Sequence, residues 1–132
     1  MRVGRFLVDR PVFTVRPDET LDQAARRMRH FGHGSATVII ADQPPGIITE
    51  RDLLRAVADG VDMITATVEQ YMTPNAVTIT PDWHVVDATR TMVERHFRHL
   101  VVVDGSGTLL GVLSMRDIAA ALLVERQGIL AG

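Results

Sequence analysis

The feature that most constrains this chain is an internal repeat. TVRPDETLDQAARRM (Thr14 to Met28) lies over TITPDWHVVDATRTM (Thr78 to Met92) at a shift of 64, with identities at Thr14/Thr78, Pro17/Pro81, Asp18/Asp82, Ala24/Ala88, Arg26/Arg90 and Met28/Met92. GIITERDLLRA (Gly46 to Ala56) lies over GVLSMRDIAAA (Gly111 to Ala121) at a shift of 65, with Gly46/Gly111, Arg51/Arg116, Asp52/Asp117 and Ala56/Ala121 identical. One extra loop residue between the blocks accounts for the change of shift. Chance supplies about one or two identities over such a length, so the pattern marks a duplication.

Each copy predicts the same run of elements. A short β-prone segment comes first, Val12 to Val15 and Ala76 to Ile79, closed by Pro-Asp. A one-sided helix follows, with apolar positions Leu21, Ala24, Ala25 and Met28 in copy one and the stripe Val85, Ala88, Thr89 and Met92 in copy two. Thr20 and Gln23 have the spacing of a capping box, whereas His84 and Asp87 stand at those places in copy two. Thr37 to Ile40 and Leu100 to Val103 have the β-branched, apolar character of buried strands. Turn-forming links, 41–45 and 104–108, join them to partners at Gly46 to Ile48 and Leu109 to Leu113. A last helix begins near Arg51 and near Arg116, the first of them ending around Asp59-Gly60.

The expected fold class is therefore α+β, with two β-α-β-β-α repeats. Residues 1–66 hold the first with an N-terminal lead-in, 67–132 hold the second, and residues 61–75 are the linker. Neither copy has enough apolar surface to stand alone, so the two are expected to pack face to face about a pseudo-twofold axis.

Composition narrows the setting. Hydrophobic content of 46% and charged content of 23% are globular values, which exclude wholesale disorder. The formal net charge of −2 supplies no basic surface for nucleic acid. Cysteine is absent, which removes disulfides, thiolate nucleophiles and Cys-based zinc sites. Arg5, Asp9 and Arg10 break the N-terminal apolar run, unlike a signal peptide, and no stretch reaches the ~18 apolar residues of a membrane span. These features point to a cytoplasmic protein with no membrane partner.

The doubled pattern resembles the CBS-domain pair, or Bateman module. The segments GlyIleIleThrGluArgAsp (46–52), GlyValLeuSerMetArgAsp (111–117) and PheArgHisLeuValValValAsp (97–104) carry the resemblance, which runs from about Val8 to about Val124. It implies clefts between paired sheets that take adenosine-containing ligands: AMP, ADP, ATP or S-adenosylmethionine. It also implies a disc-shaped homodimer and a regulatory role without catalysis. No cofactor is required, and the effector is expected to be a separate protein.

The candidate ligand residues follow by position. Thr49-x-x-Asp52 and Ser114-x-x-Asp117 fall at strand-to-helix junctions. A carboxylate can accept from two vicinal hydroxyls at once, so the resemblance puts a ribose diol on Asp52 and Asp117, assisted by Thr49 and Ser114. The same Ser/Thr-x-x-acid pattern is also a helix N-cap, which needs no ligand. Arg98 and His99 occupy the place where basic residues of the family reach phosphate. Copy one has Gly34-Ser35 there, so the two sites should be unequal. Thr14 and Thr78 stand where the family contacts the base. Val12, Ala36, Ile48 and Val77 are read as core.

Other chemistries find little support. His30-x-x-His33 and His96-x-x-His99 have i, i+3 spacing, but each pair falls where a helix should end and lacks a Cys companion. Trp83 is either an interface anchor or a partly buried core residue. No GxSxG, P-loop or HExxH motif is present. The expected function is a ligand-sensing regulatory module, with no catalytic or metal residues. The alternatives are a ligand-independent dimerisation module and, third, a nucleic-acid binder that the charge disfavours.

Overall fold

Apolar residues spaced three and four apart share one side of a helix, and Leu21, Ala24 and Met28 are the buried residues of α1 (Leu21–Phe31). Thr20 starts that helix with a complete capping box: its side chain accepts from the Gln23 amide at 3.1 Å, and the Thr20 amide donates to the Gln23 side chain at 3.0 Å. Gly32 ends it at φ 72°, the left-handed conformation that costs glycine least. The computed structural model describes residues 1–8 and 10–131, with side chains described as far as Glu125.

Two compact units make up the chain. The first is Phe13–Ala76. Its sheet is ordered β1 (Thr14–Val15), β2 (Ser35–Val38), β3 (Gly46–Thr49), with β1 parallel to β2 and β2 antiparallel to β3. Alternation along the strands sends Val15, Ala36, Val38 and Ile48 to one face, where they meet α1 and Ala56 of α2 (Glu50–Ala58) in a shared core. The register places Thr14 beside Thr37 and Ser35 beside Thr49, so hydroxyl-bearing residues occupy the other face.

Residues 61–75 are more than a linker. Val61, Met63, Ala66, Val68 and Met72 pack into the first unit's core, and Val68–Tyr71 forms the short helix α3. The Ile47 amide donates to the Thr73 carbonyl at 3.0 Å, and the Thr73 amide returns a bond to the Ile47 carbonyl at 2.9 Å. Their apolar residues follow neither a 2.0 nor a 3.6 period, so no single face is legible in the sequence.

The second unit is Met1–Val12 together with the chain from Val77 on. Its elements are β4 (Thr78–Ile79), α4 (Val85–Arg95), β5 (His99–Val103), β6 (Leu109–Ser114) and α5 (Met115–Ala131), paired as in the first unit. Ile79, Val85, Met92, Leu100, Val102 and Leu113 lie in its core. His96 closes α4 at φ 59°, matching Gly32 in the first unit. The lead-in, which precedes the first repeat in sequence, packs here. Val3 is fully buried in the second unit's core, with Phe6 and Leu7 packed against it. The Val3 and Gly4 amides each donate at 2.9 Å, to the Trp83 and Pro81 carbonyls. Burial of Val3, with Phe6 and Leu7 half-buried against it, holds the lead-in there.

Smaller departures have local causes. The β1 and β4 ladders begin at Thr14 and Thr78, two residues later than the β-prone runs, and Val12 stays 39% exposed instead of joining the core. Ala36 and Ile48 are buried and Val77 is packed against the second core, as expected. Among the described residues no helix is long and apolar enough to cross a membrane.

Candidate ligand-binding site

Both Thr/Ser-x-x-Asp segments sit where the third strand of a unit passes into a helix. Thr49 is the N-cap of α2 and Asp52 its third helical residue. The Thr49 amide donates to Asp52 Oδ2 at 2.8 Å and the Thr49 hydroxyl donates to the same oxygen at 3.1 Å. Asp52 is buried, and Arg55, one turn along, approaches its Oδ1 at 3.5 Å.

The second copy repeats the frame with a different cation. The Ser114 amide donates to Asp117 Oδ2 at 3.0 Å, and the Asp117 amide donates to Ser114 Oγ at 3.0 Å. Arg10, from the lead-in, then clasps the carboxylate with both terminal nitrogens, Nη1 to Oδ2 at 2.9 Å and Nη2 to Oδ1 at 3.3 Å. The residue equivalent to Arg55 is Ala120, and the residue equivalent to Arg10 is Pro74. Among the described residues each carboxylate thus has a cation beside it, drawn from a different part of the chain.

These contacts set the acidity of Asp117. Burial pushes its carboxyl up, but the Arg10 guanidinium and the Ser114 amide and hydroxyl overcome this and hold it below its ordinary value. A carboxyl depressed on folding contributes stability above its unfolded pKa of about 4 and loses it as pH falls through the depressed value. Urea midpoints measured from about pH 5 down to about pH 2 should therefore fall, and Arg10→Gln should make that fall shallower.

The other predicted site residues divide into two groups. His99 is half-buried at the start of β5, directly across from Ser114 on β6. Arg98 is exposed, and its carbonyl accepts from the Met115 amide at 2.8 Å, as Gly34 does from Glu50 at 3.0 Å. The expected equivalence of Arg98-His99 with Gly34-Ser35 is thus present in the backbone. Thr14 and Thr78 lie on the far edge strands β1 and β4, away from the Asp-bearing junctions. The Thr14 carbonyl accepts from Arg27 at 3.0 Å, and Thr78 is exposed beside Val101. The structure brings Thr49 to Asp52 and Ser114 to Asp117, with His99 across the ladder from Ser114.

Two residues escaped the sequence reading. Arg10 is 107 positions from its partner, and only the return of the lead-in to the second unit joins them. Thr37 is fully buried on the hydroxyl-bearing face, and its Oγ1 has no hydrogen-bond partner among the described residues. A buried unpaired hydroxyl costs about 1–3 kcal/mol, so polar surroundings there have a use. Its place within a β-branched run hid it.

The histidines and the tryptophan have local roles. His33 stacks on Phe13 with ring centroids 4.8 Å apart, and His30 meets Phe31 edge-on at 4.7 Å. No group of three potential metal ligands assembles among the described residues. Trp83 is 36% exposed and anchors the lead-in through its carbonyl.

Comparisons with known proteins agree with this architecture. The CBS domain family model matches residues 3–59 and again 68–124. An uncharacterised 17.7 kDa protein of Acidianus ambivalens is 42% identical over 113 residues, covering 85% of this chain and 68% of that protein. An uncharacterised protein of Methanopyrus kandleri is 37% identical over 111 residues, covering 83% of this chain but 57% of its own length, so the chain spans little more than half of that relative. Among solved structures, a CBS domain protein of Pyrobaculum aerophilum complexed with AMP is 30% identical with a TM-score of 0.82, covering 95% of this chain and 97% of that one. With both halves matched and both carrying the same three-stranded sheet and capped strand-to-helix junction, the chain belongs to the CBS-domain family and holds a pair of its domains.

Proposed function

We propose that this protein is a regulatory, ligand-sensing module that binds an adenosine-containing nucleotide or S-adenosylmethionine and signals to a separate partner protein. The observation that carries this reading is the twin presentation of Asp52 and Asp117, each held by a Thr or Ser at the start of a helix. A carboxylate held in place by a backbone amide is aligned to accept from both hydroxyls of a ribose. Thr49 and Ser114 assist, and the helix N-termini favour the ligand's negative charge. Arg98 and His99 supply hydrogen-bond donors to phosphate in the second domain, and Thr14 and Thr78, on the far edge strands, meet the base. AMP in the Pyrobaculum relative supports the ligand class. The module releases its ligand unchanged, as a sensor rather than an enzyme, in a cytoplasmic setting.

Assembly as a homodimer is part of the same reading. Leu54 and Val57 on α2 are 69% and 60% exposed, and Leu122 and Leu123 on α5 are 56% and 62% exposed. Neighbouring apolar residues left open on a helix commonly mark an interface. Light scattering coupled to size exclusion should return twice the 14.5 kDa chain mass.

Calorimetric titration with AMP, ADP, ATP and S-adenosylmethionine tests the ligand. At least one should bind saturably, and a folded protein silent to all four overturns the reading. A second reading, a ligand-independent interaction module, is favoured by the fact that both carboxylates already complete capping boxes. It predicts that silence.

A further inference from the structure

We infer that Arg10 is a counter-ion gate on the second domain's site, which a ribose diol must displace to bind Asp117. The inference rests on the proposed reading of Asp117 as a diol acceptor, and it concerns what regulates that acceptor. A carboxylate offers about four acceptor positions, two on each oxygen. At Asp117 the Ser114 amide and Arg10 Nη1 occupy Oδ2, and Arg10 Nη2 takes a position on Oδ1. At most one position is left, and a vicinal diol needs two. The ligand can reach its full pair of hydrogen bonds only if the guanidinium withdraws from at least one oxygen.

The geometry makes withdrawal feasible. Arg10 is 42% exposed against 21% for Asp117, so water can solvate the released guanidinium while the carboxylate stays in place on its cap. Asp52 lacks this constraint in the same form. Its neighbour Arg55 stands at 3.5 Å on the same helix, longer than a hydrogen bond, and leaves Oδ1 more open. The gate thus gives the two sites unequal affinity. It also ties occupancy of the second to the lead-in, whose Val3 and Leu7 are packed into that unit.

Amide-resolved NMR separates the sites, because the Thr49 amide reports on Asp52 and the Ser114 amide on Asp117. Adenosine, which carries the diol and no phosphate, is titrated into the wild type and Arg10→Gln, with 2′-deoxyadenosine as the single-hydroxyl control. Arg10→Gln should tighten adenosine binding at Ser114 by about fivefold, leave the Thr49 curve unchanged, and give 2′-deoxyadenosine little gain. Arg10→Lys, which keeps the charge but loses the two-pronged grip, should fall between. Equal adenosine affinity at Ser114 in wild type and Arg10→Gln overturns the gate, as does weaker binding, which would make Arg10 a ligand contact. If neither amide responds in any variant, the diol-site reading itself fails and takes the gate with it. A thermal melt of each variant confirms that the compared proteins are folded.

Discussion

Asp117→Ala should lower AMP affinity at the second domain by about 100-fold while leaving the first domain's site intact. Two hydrogen bonds to an ionised acceptor contribute about 1.5–3 kcal/mol each, and losing both sums to at least two powers of ten in the binding constant. The variant also loses the cap made with Ser114 and its pairing with Arg10. An N-cap arrangement is worth about 1 kcal/mol, and a partly exposed ion pair about 0–1 kcal/mol. Urea unfolding should therefore show a modest loss, too small to unfold the protein, beside a large loss in binding. The pairing of these two readouts decides between the sensor and the ligand-independent module. The latter predicts the same stability change with no binding to lose. Asp52→Ala should act likewise on the first domain with a larger stability penalty, because Asp52 is the more buried carboxylate.

Gly46→Ala is expected to destabilise the first unit by about 1–3 kcal/mol, whereas Gly111→Ala should cost less than about 1 kcal/mol. The two glycines are equivalent in the repeat: Gly46 opens β3 and Gly111 is the third residue of β6, each strand leading to an Asp-bearing junction. Their surroundings differ. A Cβ on Gly46 would lie 2.9 Å from the Thr73 carbonyl oxygen, which is backbone and is already committed to the Ile47 amide at 3.0 Å. Relieving the clash means shifting the Ile47–Thr73 bridge and the segment that carries Met72 into the core. On Gly111 the nearest atom is Leu7 Cδ2 at 3.0 Å, the end of a side chain that can turn away. Denaturant midpoints of the two variants test the asymmetry. Equal losses would show that Thr73 yields as easily as Leu7.

Much of the architecture was legible because its signals are local and doubled. The α1 stripe, the Thr20 capping box, the absence of a side-chain cap at His84 and the turns around 41–45 and 104–108 each arise from residues within a few positions. Agreement between copies raised the shared signals, the helix stripes and the turns, since the same pattern had to satisfy the same backbone twice. The Thr49–Asp52 and Ser114–Asp117 contacts were legible for the same reason. Their partners are three residues apart on a helix start, where the backbone leaves amides to be satisfied.

What only the tertiary structure decided is where the segments without periodicity go and which distant charges meet. Residues 61–75 and the lead-in each carry apolar side chains in an irregular order, so their destinations depend on which core has room for them. The destination of the lead-in in turn brought Arg10 to Asp117, across 107 positions. The chain by itself determined twin units, each with a carboxylate set on a helix start, because near neighbours enforce short-range geometry. Folding in three dimensions made the twins chemically different, because Arg55 reaches Asp52 from one turn along the same helix whereas Arg10 reaches Asp117 only through the return of the lead-in.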